Sequence, residues 1–251
     1  MGRKRQDSSI ENYKHCFYFF FQQCEQEVFG LETLSSLKSL LEEIKRELTQ
    51  KQNVAEDAHE SMRKATSLSK QAILLSHQKR LKEAHKQLAK AKELIAQLKE
   101  QAKSDPGIIY GGMFSAALQE YSEACIFMEL IEKSIFRSPI EIDVPPVEYV
   151  LGLADVIGEY RRLALDALRE GDVFRGEKCL QTMDEIYVEL EGLDEAYMLV
   201  PGLRRKSDIA RKIIESTRGD ITQEVRRKAL EDYLRQFELT HKKRREPSQK
   251  G

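Results

Sequence analysis

Apolar residues recur every three or four positions over most of the chain, the period of helices with one buried face. Leu34, Leu37, Leu40, Leu41, Ile44 and Leu48 set such a row from about Leu31, and the polar stretch Gln50 to Asp57 allows a break after it. Leu68, Ala72, Leu75, Leu81, Leu88, Ile95 and Leu98 carry a second row across about 58–103, which Ser104-Asp105-Pro106-Gly107 closes. A third helix is predicted from about Met113 to Ile135. Pro139, Pro145 and Pro146 then exclude helix between Arg137 and Pro146 and predict a connector. Val147 to about Arg169 reads as a fourth helix with Gly171-Asp172 as its turn, and 174–191 as a fifth with Cys179, Leu180, Met183, Ile186, Tyr187 and Leu190 inward. Pro201-Gly202 opens a sixth that ends near Arg218-Gly219, and Thr222 is placed to cap a seventh to about Leu239.

Composition agrees with that pattern. The 251 residues are 41% hydrophobic and 33% charged, with only 13 Gly and 6 Pro to punctuate a β-rich fold. The expectation is therefore all-α: a single-domain antiparallel helical bundle of about seven helices over 31–240. Residues 1–30 read as a flexible or weakly packed N-terminal segment and 241–251 as a disordered basic tail. No apolar stretch reaches the ~18–20 residues of a membrane span. The Phe17–Phe21 aromatic cluster is too short and too polar in its flanks for a signal segment. A cytoplasmic protein is expected. Cys16, Cys24, Cys125 and Cys179 show no CxxC spacing and read as reduced thiols.

Four carboxylates break the apolar rule. Glu120 and Glu123 are spaced i,i+3 and Asp155 and Glu159 i,i+4, so each pair shares one helix face. Asp155 and Glu159 interrupt a run (Val150, Leu151, Leu153, Ala154, Val156, Ile157) that otherwise reads as core. A buried ionised carboxylate costs several kcal/mol unless a cation or donors compensate it. Oxygen donors on facing helices suit Mg²⁺ or Mn²⁺. No histidine lies near these positions in sequence, which argues against redox iron or zinc. Two such ions could activate a water against a phosphodiester, with one carboxylate orienting it. The plainer alternatives are a solvated acidic face, or an Asp155 satisfied by Arg161, Arg162 or a tyrosine hydroxyl.

Charge partition points to the class of substrate. Residues 63–103 hold eleven Lys/Arg against three Glu, whereas 107–200 hold seven basic against nineteen acidic side chains. Residues 201–251 return to fifteen against eight. A basic arm beside an acidic centre suits a protein that grips a polyanion; solvated faces of alternating sign are the simpler explanation.

The stretches LQEYSEA (118–124), VEYVLGLADVIGEYRRL (147–163), EGDV (170–173) and SKQAILLSH (69–77), with Arg218-Gly219, resemble the translin family. They are most similar to its catalytic branch, translin-associated factor X. The resemblance covers roughly 60–220 and sets that family's metal-ligating acidic residues on Glu120, Glu123, Asp155 and Glu159. It implies an all-α bundle, self-association into a closed, octamer-like shell, and Mg²⁺-dependent cutting of single-stranded or partly unpaired RNA inside it. The chain departs from the branch in a short 137–146 connector and in its first thirty residues, which fits a shell built from one kind of subunit. RNA binding would fall to Arg63, Lys64, Lys70, His77, Lys79 and Arg80, of which Lys70 is carried by a matched segment and the others by charge. Arg162 matches an arginine that both branches share. With no stacking platform in view, binding to RNA or DNA should be phosphate-led and salt-sensitive. The competing expectations are a non-catalytic single-stranded nucleic-acid-binding oligomer and a helical scaffold.

Overall fold

A computed structural model describes the backbone of residues 7–245 and the side chains of 34–193 and 196–241. Among the described residues there are seven α-helices and no strand: α1 (Asp7–His77), α2 (Leu81–Ser104), α3 (Gly112–Lys133), α4 (Pro139–Ile142), α5 (Pro146–Arg169), α6 (Val173–Glu191) and α7 (Leu203–Arg245). Short 3-10 turns stand at Pro106–Ile109 and Asp194–Leu199. The all-α expectation holds, but several boundaries move.

No break occurs at 50–57. Lys51 pairs with Glu47 at 2.8 Å and Gln52 donates to Glu56 at 2.9 Å, both one turn apart, and the helix continues to His77. The interruption falls instead at 78–80, inside the helix expected over 58–103. Lys79 adopts φ 62° and the Arg80 N–H returns to the Leu75 carbonyl at 2.9 Å. Neither Gly nor Pro marks that turn. The proline-rich connector contains one helical turn, α4: Ser138 accepts from the Glu141 N–H, and the Glu141 carboxylate accepts from the Ser138 N–H at 2.7 Å, a capping box. The sixth and seventh helices are one. Thr222 caps nothing and donates back to the Arg218 carbonyl at 2.7 Å within α7. Residues 241–245, expected in a disordered tail, are helical; 246–251, and the packing of 1–30, lie outside the described residues.

Contacts divide the chain into Met1–Asp57 and Ala58–Gly251. In the first unit the described apolar row is exposed: Leu34, Leu37, Leu40, Leu41, Ile44 and Leu48 are 42–64% accessible. The second unit carries the core. One cluster joins Ala58, Met62, Ala65 and Leu68 of α1 to Ala91, Ile95 and Leu98 of α2 and to Phe114, Ala117, Leu118 and Tyr121 of α3. Another joins Phe127 and Leu130 of α3 to Ile157 and Tyr160 of α5, Met183 and Ile186 of α6, and Leu203, Ala210 and Ile214 of α7. Helix α3 serves both, and every residue from Tyr121 to Leu130 is buried. That run includes two acids, Glu123 and Glu129. A helix buried all round must account for each charge it carries.

Candidate active site

Helices α3 and α5 meet unusually closely at Gly152. A Cβ there would stand 2.8 Å from the Gln119 carbonyl oxygen and the Glu123 nitrogen, and 2.9 Å from the Ser122 Cβ. Glycine therefore sets the approach of the two helices, and it does so beside Glu123 and one turn before Asp155. The four acids predicted from spacing are brought together by this crossing. Glu123 feels Asp155, Glu120 and Glu159 as neighbouring charges.

Each acid is balanced differently. Glu120 takes an ion pair from Lys70 at 3.1 Å. Asp155 accepts from the Gln119 amide at 2.6 Å and pairs through its other oxygen with the Lys206 ammonium. Glu159 lies 2.5 Å from His77 Nε2. Glu123 has no hydrogen bond or ion pair among the described residues. The residue is 8% exposed, and burial together with the three facing carboxylates pushes its pKa up to about 9. Glu129, the other acid of the buried run, shows the contrast: Arg137 at 2.7 Å and Lys133 at 3.2 Å neutralise it.

The proposed alternative partners of Asp155 are elsewhere. Arg161 donates to Thr217 at 2.7 Å and pairs with Asp220 at 3.2 Å, Arg162 is exposed, and the Tyr149 hydroxyl donates to the Arg137 carbonyl. Lys206, which takes that place, was not singled out from the sequence. Its signal was faint: it stands three residues after buried Leu203 and four before buried Ala210, on the inward side of α7.

The basic candidates separate. Arg63, Lys64, Lys79 and Arg162 are exposed and lack a partner among the described residues. Arg80 is forked onto Glu83 at 2.6–2.7 Å. Lys70 is 61% exposed beside Glu120. His77 differs from the others: its side chain is 2% exposed, its ring packs 4.9 Å from Phe127, and its Nε2 lies against Glu159. No histidine lies near the acids in sequence, but His77 meets Glu159 across 82 residues, a contact invisible to local spacing. Arg63, Lys70 and His77 recur every seven residues on one face of α1, and the last two deliver that face to the acids.

The donor set fits a hard divalent cation. It consists of carboxylate oxygens, and burial together with the three neighbouring carboxylates raises the pKa of Glu123. Among the described residues no three His, Cys, Asp or Glu side chains are arranged to hold a metal ion, and Glu120, Asp155 and Glu159 pair with Lys70, Lys206 and His77. Also among the described residues, no helix is long and apolar enough to cross a membrane.

Fold and site together define an all-helical protein with a buried acidic centre between two helices and a basic helix face leading to it. The translin family profile matches residues 36–217, and the chain belongs to the translin family. It is 35% identical over 129 residues to the uncharacterised protein MJ0175 of Methanocaldococcus jannaschii, a match covering 51% of this chain and 58% of that relative's length. Two solved structures, AfC3PO and the AfC3PO–duplex RNA complex, are 34% identical, with TM-scores of 0.63 and 0.64. They match 73% of this chain and 96% and 95% of theirs. Apo-NeC3PO, 24% identical with a TM-score of 0.66 over 73% of this chain and 96% of that one, shares the fold.

Proposed function

We propose that this chain is a metal-dependent endoribonuclease of the translin-associated factor X type, cutting single-stranded or partly unpaired RNA inside a closed homo-oligomeric shell. The observation that carries the reading is the convergence of Glu120, Asp155 and Glu159 on Glu123, whose buried carboxyl is pushed well above the ordinary carboxylate range by its seclusion and by these three charges. Glu120, Glu123, Asp155 and Glu159 would hold Mg²⁺ or Mn²⁺. Bound there, the ion would supply a nucleophilic water and neutralise charge on the phosphate. In the reaction a water oxygen forms a bond to phosphorus, one backbone P–O bond breaks, and the leaving oxygen takes a proton. The chain's own residues prepare that step. Gly152 fixes the distance between the two acid pairs, and His77 orients Glu159 from a buried ring held by Phe127. The exposed cations Arg63, Lys64, Lys79 and Arg162 offer a phosphate-led path for RNA. The AfC3PO–duplex RNA complex, 34% identical, supports RNA as the ligand.

The shell is supported by apolar side chains left open on two helices: the α1 row from Leu34 to Leu48, and Leu230, Tyr233, Leu234 and Phe237 of α7, 50–64% accessible. A non-catalytic RNA-binding oligomer is the second reading. Internal pairing of three of the four acids favours it. One assay separates the two. Labelled single-stranded RNA is incubated with the protein and Mg²⁺, with and without EDTA, beside Asp155→Ala. The nuclease reading expects cleavage that EDTA and the substitution both abolish while RNA binding persists; binding without cleavage under any divalent ion overturns it.

A further inference from the structure

Lys206 needs an explanation that the acidic centre alone does not give. Its side chain is 24% exposed, against 61% for Lys70, so it lies far deeper than the other lysine of the site. It stands among buried neighbours on α7, with Leu203 at 0%, Ser207 at 3% and Ala210 at 2% accessibility. A secluded ion pair is a poor way to stabilise a fold, since apolar groups of the same volume usually serve as well or better. Asp155 already accepts a hydrogen bond from Gln119, and α7 already packs through its apolar row. What the lysine adds is a mobile positive charge on a four-carbon stem, next to the acid that a divalent ion would occupy.

We infer that Lys206 is a phosphate-binding residue of the cleavage centre: it neutralises Asp155 in the metal-free protein and passes to an RNA phosphate when a divalent cation takes over that carboxylate. The inference rests on the nuclease reading for its substrate. The physical argument is a charge exchange. A doubly charged ion on Asp155 outcompetes a single ammonium and leaves Lys206 with a repelling neighbour. A phosphodiester arriving at the same ion brings the nearest uncompensated negative charge, and an ammonium turns to it with any of its three N–H donors. None of the exposed cations Arg63, Lys64, Lys79 and Arg162 contacts Asp155, whose polar partners among the described residues are Gln119 and Lys206, and the neighbouring Arg161 is committed to Thr217 and Asp220. Metal and RNA then help each other to bind, and by linkage each strengthens the other by the same factor.

The test uses the full chain, Lys206→Met and Lys206→Arg. Mn²⁺ binding is measured by calorimetry without RNA, and RNA binding by anisotropy in EDTA and in Ca²⁺. Single-turnover cleavage is then followed at saturating Mn²⁺. Lys206→Met should bind Mn²⁺ more tightly than the parent, because the competitor for Asp155 is gone. It should lose the gain in RNA affinity on adding Ca²⁺, about tenfold in the parent, and cut RNA about 100-fold more slowly. Lys206→Arg should retain most of the gain. A Lys206→Met protein that binds Mn²⁺ no more tightly, or keeps the cation-dependent gain in RNA affinity, overturns the inference. A parent that never cuts RNA overturns the nuclease reading instead, and the two binding measurements still decide the role of Lys206. Should Lys206→Met lose its helical circular dichroism, Lys206→Gln carries the same readouts.

Discussion

Replacing Gly152 with alanine should destabilise the protein, while the same change at Gly158, six residues along α5, should stabilise it. At Gly152 the new methyl meets the Gln119 carbonyl and the Glu123 nitrogen at 2.8 Å and the Ser122 Cβ at 2.9 Å, all parts of α3 that no side-chain rotation can clear. Ordinary contact begins at 3.4 Å, so the two helices must separate by about 0.6 Å at their crossing. Overpacking of this kind costs about 1–3 kcal/mol, offset by at most ~1 kcal/mol from the better helix propensity of alanine. A methyl at Gly158 meets nothing within 4 Å, leaving only the propensity gain. Thermal unfolding followed by circular dichroism, in EDTA and at one protein concentration, reads both. At about 2–4 °C per kcal/mol for a unit of this size, the net cost of up to ~2 kcal/mol should lower the Gly152→Ala midpoint by up to roughly 8 °C, and Gly158→Ala should raise it by roughly 1–4 °C. Equal midpoints for the two variants would refute the close crossing of α3 and α5.

The remaining predictions concern charge, thiols and RNA. Glu123 has a folded pKa near 9 against an ordinary 4.5, so the folded protein keeps a proton that the unfolded chain releases. Stability in EDTA should therefore be highest below about pH 4.5 as far as this group is concerned, and fall toward pH 9 by up to ~1.4 kcal/mol per pH unit. Urea titrations of Glu123→Gln should show that slope removed, and an unchanged slope counts against the burial of a protonated Glu123. In a Cys16→Ser/Cys24→Ser/Cys179→Ala background, Cys125, buried and pushed up to about 12, should resist Ellman's reagent at pH 8 until the protein unfolds. Immediate labelling of the folded chain would contradict its burial. Arg63→Ala/Lys64→Ala should weaken binding to single-stranded RNA and reduce the slope of log K against log salt by about 1.4, two phosphate contacts' worth. An unaltered slope would remove those residues from the path.

The fold was legible where periodicity was local. Helix α6 came out of its inward row almost to the residue, because a 3.6 period with a Gly-Asp turn before it leaves little choice; Asp172 indeed caps it, accepting from the Arg175 N–H at 3.0 Å. The turn at 78–80 was not legible. Lys79 carries a positive φ without Gly or Asn chemistry, and the surrounding helix packing imposes it. Thr222 misled because threonine serves equally as a cap and as a back-bonded residue inside a helix, and only the carbonyl of Arg218 decides between them. The acidic pairs were legible as carboxylates on apolar faces. Their partners were not: His77 and Lys206 reach Glu159 and Asp155 across 82 and 51 residues of sequence, and no spacing rule spans such a gap. Reading the 63–103 charges as one basic arm also merged two kinds of residue. Lys70 and His77 face the acids, and Arg63, Lys64 and Lys79 face solvent.

If the four carboxylates act as one divalent-cation site that cuts RNA, each of them is needed for cleavage. Single-turnover cleavage of a labelled single-stranded RNA decides this at saturating Mg²⁺, with Glu120→Gln, Glu123→Gln, Asp155→Asn and Glu159→Gln compared one at a time. Each neutral variant should cut at least ~100-fold more slowly than the parent, the double variant Glu123→Gln/Asp155→Asn should be little worse than either single one, and RNA affinity in EDTA should be unchanged throughout. Cleavage at the parental rate by Glu123→Gln and Asp155→Asn, with Mg²⁺ still required, would contradict the single site.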